Sequence, residues 1–299
     1  MARSIGLALA ATLAASALAA QSAPPSTDIY LVRLRGSGGT SISDPPVNLT
    51  NRAGYDNEPA FTPHGRSILF TSIHEGGQAD VYRIDLASRA VTRVTNTPES
   101  EYSPTPLPTG TGFSVVRVEM DSTQRLWAFN DSGAAPVLLL PGIAPVGYHL
   151  WLDDRTLALF VLGNPNSLEI ADTQTGDAHA IAHDIGRSLQ RVPGGSRFSF
   201  LHRVDGAWYL ETADPAASDG AIQRVTAMPR GADYVVWESP TAVLTATGTD
   251  ILRLDLSAGA SAQWTPIADF KEEGLRNLSR LALSPDGEWL AVVAEPVKN

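Results

Sequence analysis

The segment Asp80-Val81-Tyr82-Arg83-Ile84-Asp85 echoes Asp28-Ile29-Tyr30-Leu31-Val32-Arg33 and returns as Asp250-Ile251-Leu252-Arg253-Leu254-Asp255. A short unit that cannot bury its own apolar faces has to stack on copies of itself. A repeat of roughly 40 to 50 residues built from strands therefore confines the chain to small sheets packed in series. Short apolar runs bounded by Gly, Pro, Asp and Asn fill the sequence, and none holds a 3.6-residue period long enough for a major helix. The expected class is all-β.

Sorting the runs gives four kinds of strand in a fixed order, A to D from the inside of each unit outward. A and B form a hairpin. Pro59-Ala60-Phe61 and Ser67-Ile68-Leu69-Phe70 flank a turn at Thr62-Pro63-His64-Gly65-Arg66, where Pro presets φ and Gly accepts the positive φ that closes the loop. Leu281-Ala282-Leu283 and Trp289-Leu290-Ala291-Val292-Val293 repeat the pattern around Ser284-Pro285-Asp286-Gly287. C strands are expected at 28–34, 80–86, 125–129, 167–171, 208–212 and 250–256, each followed by a D strand. The first C and D lack an A and B before them, and the last A and B lack a C and D after them. The two ends complete one another. Pairing the Trp289 strand with the Asp28 strand closes the ring and removes two exposed sheet edges. The expectation is a six-bladed β-propeller of four-stranded antiparallel blades over residues 28–299, closed by its terminal strands.

The run from Glu58 through Ser72, followed by Asp80-Val81-Tyr82, resembles the repeat of the TolB-type, WD-like β-propellers of bacterial envelopes, as does Ser284-Pro285-Asp286-Gly287. The likeness is good in two blades, fair in the first and weak in the other three. His64 stands where that family usually has Asp. The resemblance implies an exported propeller without the domain that precedes the propeller in TolB, acting on a protein or peptide of the cell envelope.

Arg3 precedes an apolar run from Ile5 to Leu18, with Ala17, Ala19 and Ala20 before Gln21. This reads as a secretory signal peptide over residues 1–20, with a disordered leader over 21–27. A spanning helix wants about 20 apolar residues, so no membrane span is expected once the signal is cleaved. The expected location is periplasmic or secreted, and the expected state a monomer. With no cysteine, no disulfide can form. The net charge of −10 gives no electrostatic footprint for nucleic acid.

No motif requires a cofactor, and no catalytic set assembles. The G-x-S-x-G elbow of propeller-bearing serine peptidases is missing. His179 and His183 are four apart but on an expected strand, about 13 Å from end to end, too far for one metal. His64, His74 and His202 read as hydrated surface groups. Asp85, Asp131, Asp172, Asp214 and Asp255 follow the C strands, where Asp caps its own turn. A calcium site of the kind found in six-bladed lactonases would have only Glu58 and Asn57 as candidates, against a need for six to eight oxygens.

The segments entering the A strands should ring the mouth of the central channel: 54–58, 99–103, 146–149, 187–190, 232–234 and 276–279. Four of the six carry a tyrosine. Tyrosines among carboxylates make an amphipathic recognition surface, the ring giving contact area and the hydroxyl direction. The expected partner-binding residues are Tyr55, Asn57, Glu58, Glu101, Tyr102, Tyr148, His149, Asp233 and Tyr234. The competing expectation is a small-molecule site in the same channel, binding only or processing a lactone or sugar, with His149 as its general base.

Overall fold

The computed structural model describes residues 24–35, 41–42, 44–74, 77–216 and 221–296. The expected signal peptide and the first part of the leader lie outside the described residues. Six four-stranded antiparallel blades form the ring, numbered here from the shared one. Blade 2 runs Tyr55–Phe61, Ser67–Ile73, Ala79–Asp85 and Val91–Arg93, and blades 3 to 6 repeat that order through Asp269.

Blade 1 is built from both ends. Its C strand Asp28–Arg35 pairs with its B strand Trp289–Pro296 in the register Asp28 to Ala294 through Arg33 to Trp289. Its A and D strands are each interrupted, A into Leu275–Arg276 and Leu281–Leu283, D into Ser41–Ile42 and Val47–Asn48.

Period-2 alternation explains the packing. Leu69 faces blade 3 while its neighbours Ile68 and Phe70 face blade 1, so each central strand supplies two apolar faces. Each of the six junctions between neighbouring blades has its own apolar cluster, including the junctions of blade 1 with blades 2 and 6. The ring is therefore one continuous core, which a single blade could not supply.

Two local features depart from the sequence reading. Thr27, at the end of the expected leader, is buried and bridges to Tyr55, its hydroxyl donating to the Asp56 carbonyl at 3.0 Å. Backbone groups left free at the entry to blade 2 fix it there. The link between the last two strands of blade 6 holds a 3-10 turn at Leu256–Ser261, started by Asp255 accepting from the Ser257 amide. Asp85 and Asp172 act as expected of turn caps, each accepting from two amides of its own turn, whereas Asp131 accepts from the Gly112 amide and leaves its turn to be capped by Asn130.

Candidate functional site

Six equivalent positions converge on one cavity. In each blade the first fully buried residue of the B strand (Ile68, Phe113, Leu157, Phe198, Val243 and Leu290) pairs with one residue of the A strand. Three residues before that partner stand Glu58, Ser103, Tyr148, Ser188, Tyr234 and Arg280, and all six line a central cavity of about 630 Å³. Backbone irregularities aim several of them. Glu58 and Ser103 are extra residues where the register slips, at φ 60 and 54, and a bulge re-aims the side chain it carries. Tyr148 follows Gly147 at a similar slip, where a Cβ would meet Phe160 at 2.8 Å. The Tyr148 ring packs edge-on against that same Phe160. Arg280 lies in the gap between the two pieces of the blade 1 A strand.

Arg280 organises the cluster. Its guanidinium lies over the rings of Tyr148 and Tyr234, 4.7 and 4.3 Å from their centroids, and pairs with Glu58 Oε1 at 3.3 Å. The other Glu58 oxygen accepts from the Thr71 hydroxyl at 2.8 Å and the Ser103 amide at 2.5 Å. Burial alone would lower the Arg280 pKa, but Tyr234, Glu58 and Tyr148 around it raise it instead, so the charge is secure. Burial pushes the Tyr234 hydroxyl up to about 12 although Arg280 pulls the other way. Burial likewise raises Tyr55, with Glu58 adding to it, and Tyr102. These tyrosines are neutral donors at physiological pH.

The expected site residues divide into those that meet and those that do not. Glu58, Tyr148, His149 and Tyr234 line the cavity, and Tyr55 lies close enough for Glu58 and Arg280 to act on it. Tyr102 is half-buried beside Glu58. Asn57 is buried and accepts from the Glu58 amide, so it shapes the bulge. Glu101 is fully buried in the junction of blades 2 and 3, with Arg117 Nε at 3.2 Å, because the slip that turns Ser103 inward leaves Glu101 facing outward. Asp233 is exposed on the loop before the strand and does not line the cavity.

His149 is a structural histidine. Its Nε2 lies 2.6 Å from the Ser114 hydroxyl, which also accepts from Trp151 Nε1 at 2.9 Å. Trp237 and Ser199 make the same tie between blades 6 and 5, so the serine belongs to the stacking of blades. Burial pushes the His149 pKa down to about 3, out of the range of a general base at neutral pH. The unfolded state therefore binds a proton below about pH 6.5 that the native state does not, and stability rises with pH across that window. Acidification from pH 7 to pH 4 should cost on the order of 3 kcal/mol through this group. Chemical denaturation of the wild type and His149→Gln at both pH values checks this. A pH dependence no shallower in the variant would refute it.

Of the other histidines, His64, His179 and His183 are exposed, His74 stacks on Tyr82, and His202 pairs with Glu211. Among the described residues no three His, Asp or Glu side chains converge as a metal site. Sequence reasoning misses Arg280, and it places Arg187 in an entry segment without naming it as a site residue. The sixth entry segment, 276–279, stops one residue short, and alignment on the B strand finds Arg280.

No protein-family model and no curated protein matches the chain. Solved structures do. A protein assigned as TolB in Agrobacterium tumefaciens superposes with a TM-score of 0.70 at 18% identity, covering 91% of this chain and 99% of that one. TolB from Acinetobacter baumannii gives 0.58 at 14%, covering 91% of this chain and 65% of that one. An oligogalacturonate lyase from Vibrio parahaemolyticus gives 0.56 at 12%, covering 84% and 80%. Among the described residues no helix is long and apolar enough to cross a membrane. At these identities the likeness is one of architecture, and in architecture the chain is a TolB-like six-bladed β-propeller.

Proposed function

We propose that this is an exported binding propeller that receives a segment of an envelope protein or peptide at the tyrosine-lined end of its channel. The observation that carries the reading is the convergence of Tyr148, Tyr234, Arg280 and Glu58 from three different blades and the shared one on a single open cavity. A rigid ring presenting aromatic and arginine side chains in a concavity matches what dominates binding energy at protein interfaces. The TolB neighbours and the N-terminal sequence support an envelope setting. Neither residue considered for chemistry suits it, since His149 is held neutral and bonded to a buried serine, and both Glu58 oxygens are already engaged.

A photo-crosslinking residue at position 148, expressed in the native envelope, tests the proposal. It should yield a discrete protein or peptide adduct that a crosslinker at the exposed Met120 does not. Replacing Tyr234 by Ala should lower its yield by about tenfold or more, the loss of one aromatic anchor. Equal adducts at both positions, or none, would refute it. A small acidic ligand is the second reading, favoured by a cavity volume within the range of ligand pockets and by the lyase among the neighbours.

A further inference from the structure

The cavity holds more positive charge than its ion pair requires. Arg187, on the entering strand of blade 5, lines the same wall as Arg280 and is near enough for Tyr234 and Arg280 to act on its charge. Glu58 is the one ionic partner of Arg280 among the described residues, and Arg187 has none there. The remaining charged groups of the wall cancel, Glu238 against Arg253 and Asp286 against Arg191. Glu238 pairs with Arg253 at 2.9 Å, Asp286 accepts from Ser284 in its turn, and Arg191 donates to the Leu152 carbonyl. Two guanidinium groups and one carboxylate leave a charge of about +1 in a concavity of a chain whose net charge is −10.

Holding like charges together is unfavourable unless something of opposite sign comes between them. The wall also carries polar atoms that the protein does not satisfy. His149 Nδ1, on a side chain more than nine-tenths buried, Ser103 Oγ and Glu238 Oε1 have no partner in the structure, and all three residues line the cavity. These atoms have almost no accessible surface, so the wall presents its guanidinium groups, and not these atoms, to a ligand.

We infer that Arg187 and Arg280 form a carboxylate-binding site, which anchors the inserted segment by its C-terminal carboxylate or by an Asp or Glu side chain. This rests on the segment-binding reading given above. The planar fork of a guanidinium matches a carboxylate with two parallel N–H bonds, and Glu58 Oε1 lies 3.3 Å from one nitrogen of Arg280. A single uncompensated charge suits a monoanion. The rings of Tyr148 and Tyr234, 4.7 and 4.3 Å from the guanidinium carbon, help to hold Arg280 in place.

Affinity selection with defined peptides tests the inference. Random hexapeptide libraries are prepared as free acids and as C-terminal amides, each with and without Asp and Glu, and retention on the purified full chain is read by mass spectrometry. Peptides bearing a carboxylate should be retained about tenfold or more over amides lacking Asp and Glu. Arg187→Gln, at an exposed position, should remove that preference without altering the thermal transition; Arg280→Gln should remove it too, but with a lowered transition, because Glu58 is left without its ionic partner. Preference for free acids names the terminus as anchor, and preference for Asp- or Glu-bearing amides names the side chain. Displacement of either by millimolar succinate also supports the site and shows that a small carboxylate can fill it. Equal retention of amides lacking Asp and Glu would overturn the carboxylate site while leaving segment binding intact. Retention of no peptide would overturn both.

Discussion

Ending the chain at Glu288 should abolish cooperative unfolding. The removed strand carries Leu290, Ala291, Val292, Val293 and Ala294, each at most 1% exposed, and six residue pairs with the first C strand. Burial of the Leu and two Val side chains alone contributes about 5–8 kcal/mol, comparable with the whole stability of a typical domain. Its loss also opens two sheet edges and two of the six apolar junctions. Calorimetry should show no single transition for the truncated chain. Moving residues 289–296 in front of Asp28 through a short turn should restore it, because Ala294 already lies opposite Asp28 and the two strands become a hairpin. A truncated chain that melts like the intact one would mean the shared blade does not hold the ring.

Glu58→Ala should destabilise the fold by about 3–5 kcal/mol, the range for removing one partner of a buried ion pair. The carboxylate meets Arg280, Thr71 and the Ser103 amide at once, and its removal leaves a guanidinium without counter-charge among aromatic rings. Glu58→Asn separates the carboxylate from the backbone, since Asn tolerates the left-handed conformation observed there but is too short to make these contacts. It should fall in the same range. Removing Arg280 as well should recover part of the loss, with a coupling of about 0.5–3 kcal/mol in a double-mutant cycle. Denaturant titrations provide the test, and a change within about 0.5 kcal/mol for Glu58→Asn would refute the role given to this pair.

The architecture is legible in the sequence because a repeat constrains every copy at once. Asp28, Asp80 and Asp250 stand at or next to the start of equivalent strands, and the surplus strands at the two ends set both the blade count and the closure. The site is legible in part, since Glu58, Tyr148 and Tyr234 occupy the inward position of their blades. Alternation alone cannot locate that position, because a register slip exchanges the faces of a strand. Glu101, expected inward, lies in a junction, while Ser103 two residues on takes the inward place. Arg280 escapes the pattern because its strand is broken just before it, and Arg187 because a positively charged residue at a strand entry has no pattern of its own. Asp233 stays on the loop because its strand begins only at Val235.

The seam in blade 1 also sets how the molecule bears load. Since Asp28 lies opposite Ala294, the flanking chain leaves from the same end of the paired strands. Force applied between those flanks would peel the seam one residue pair at a time, like a zipper, rather than shear all six together. The ring should thus yield more easily when pulled across this seam than through any other pair of blades, where force would work against covalently continuous loops.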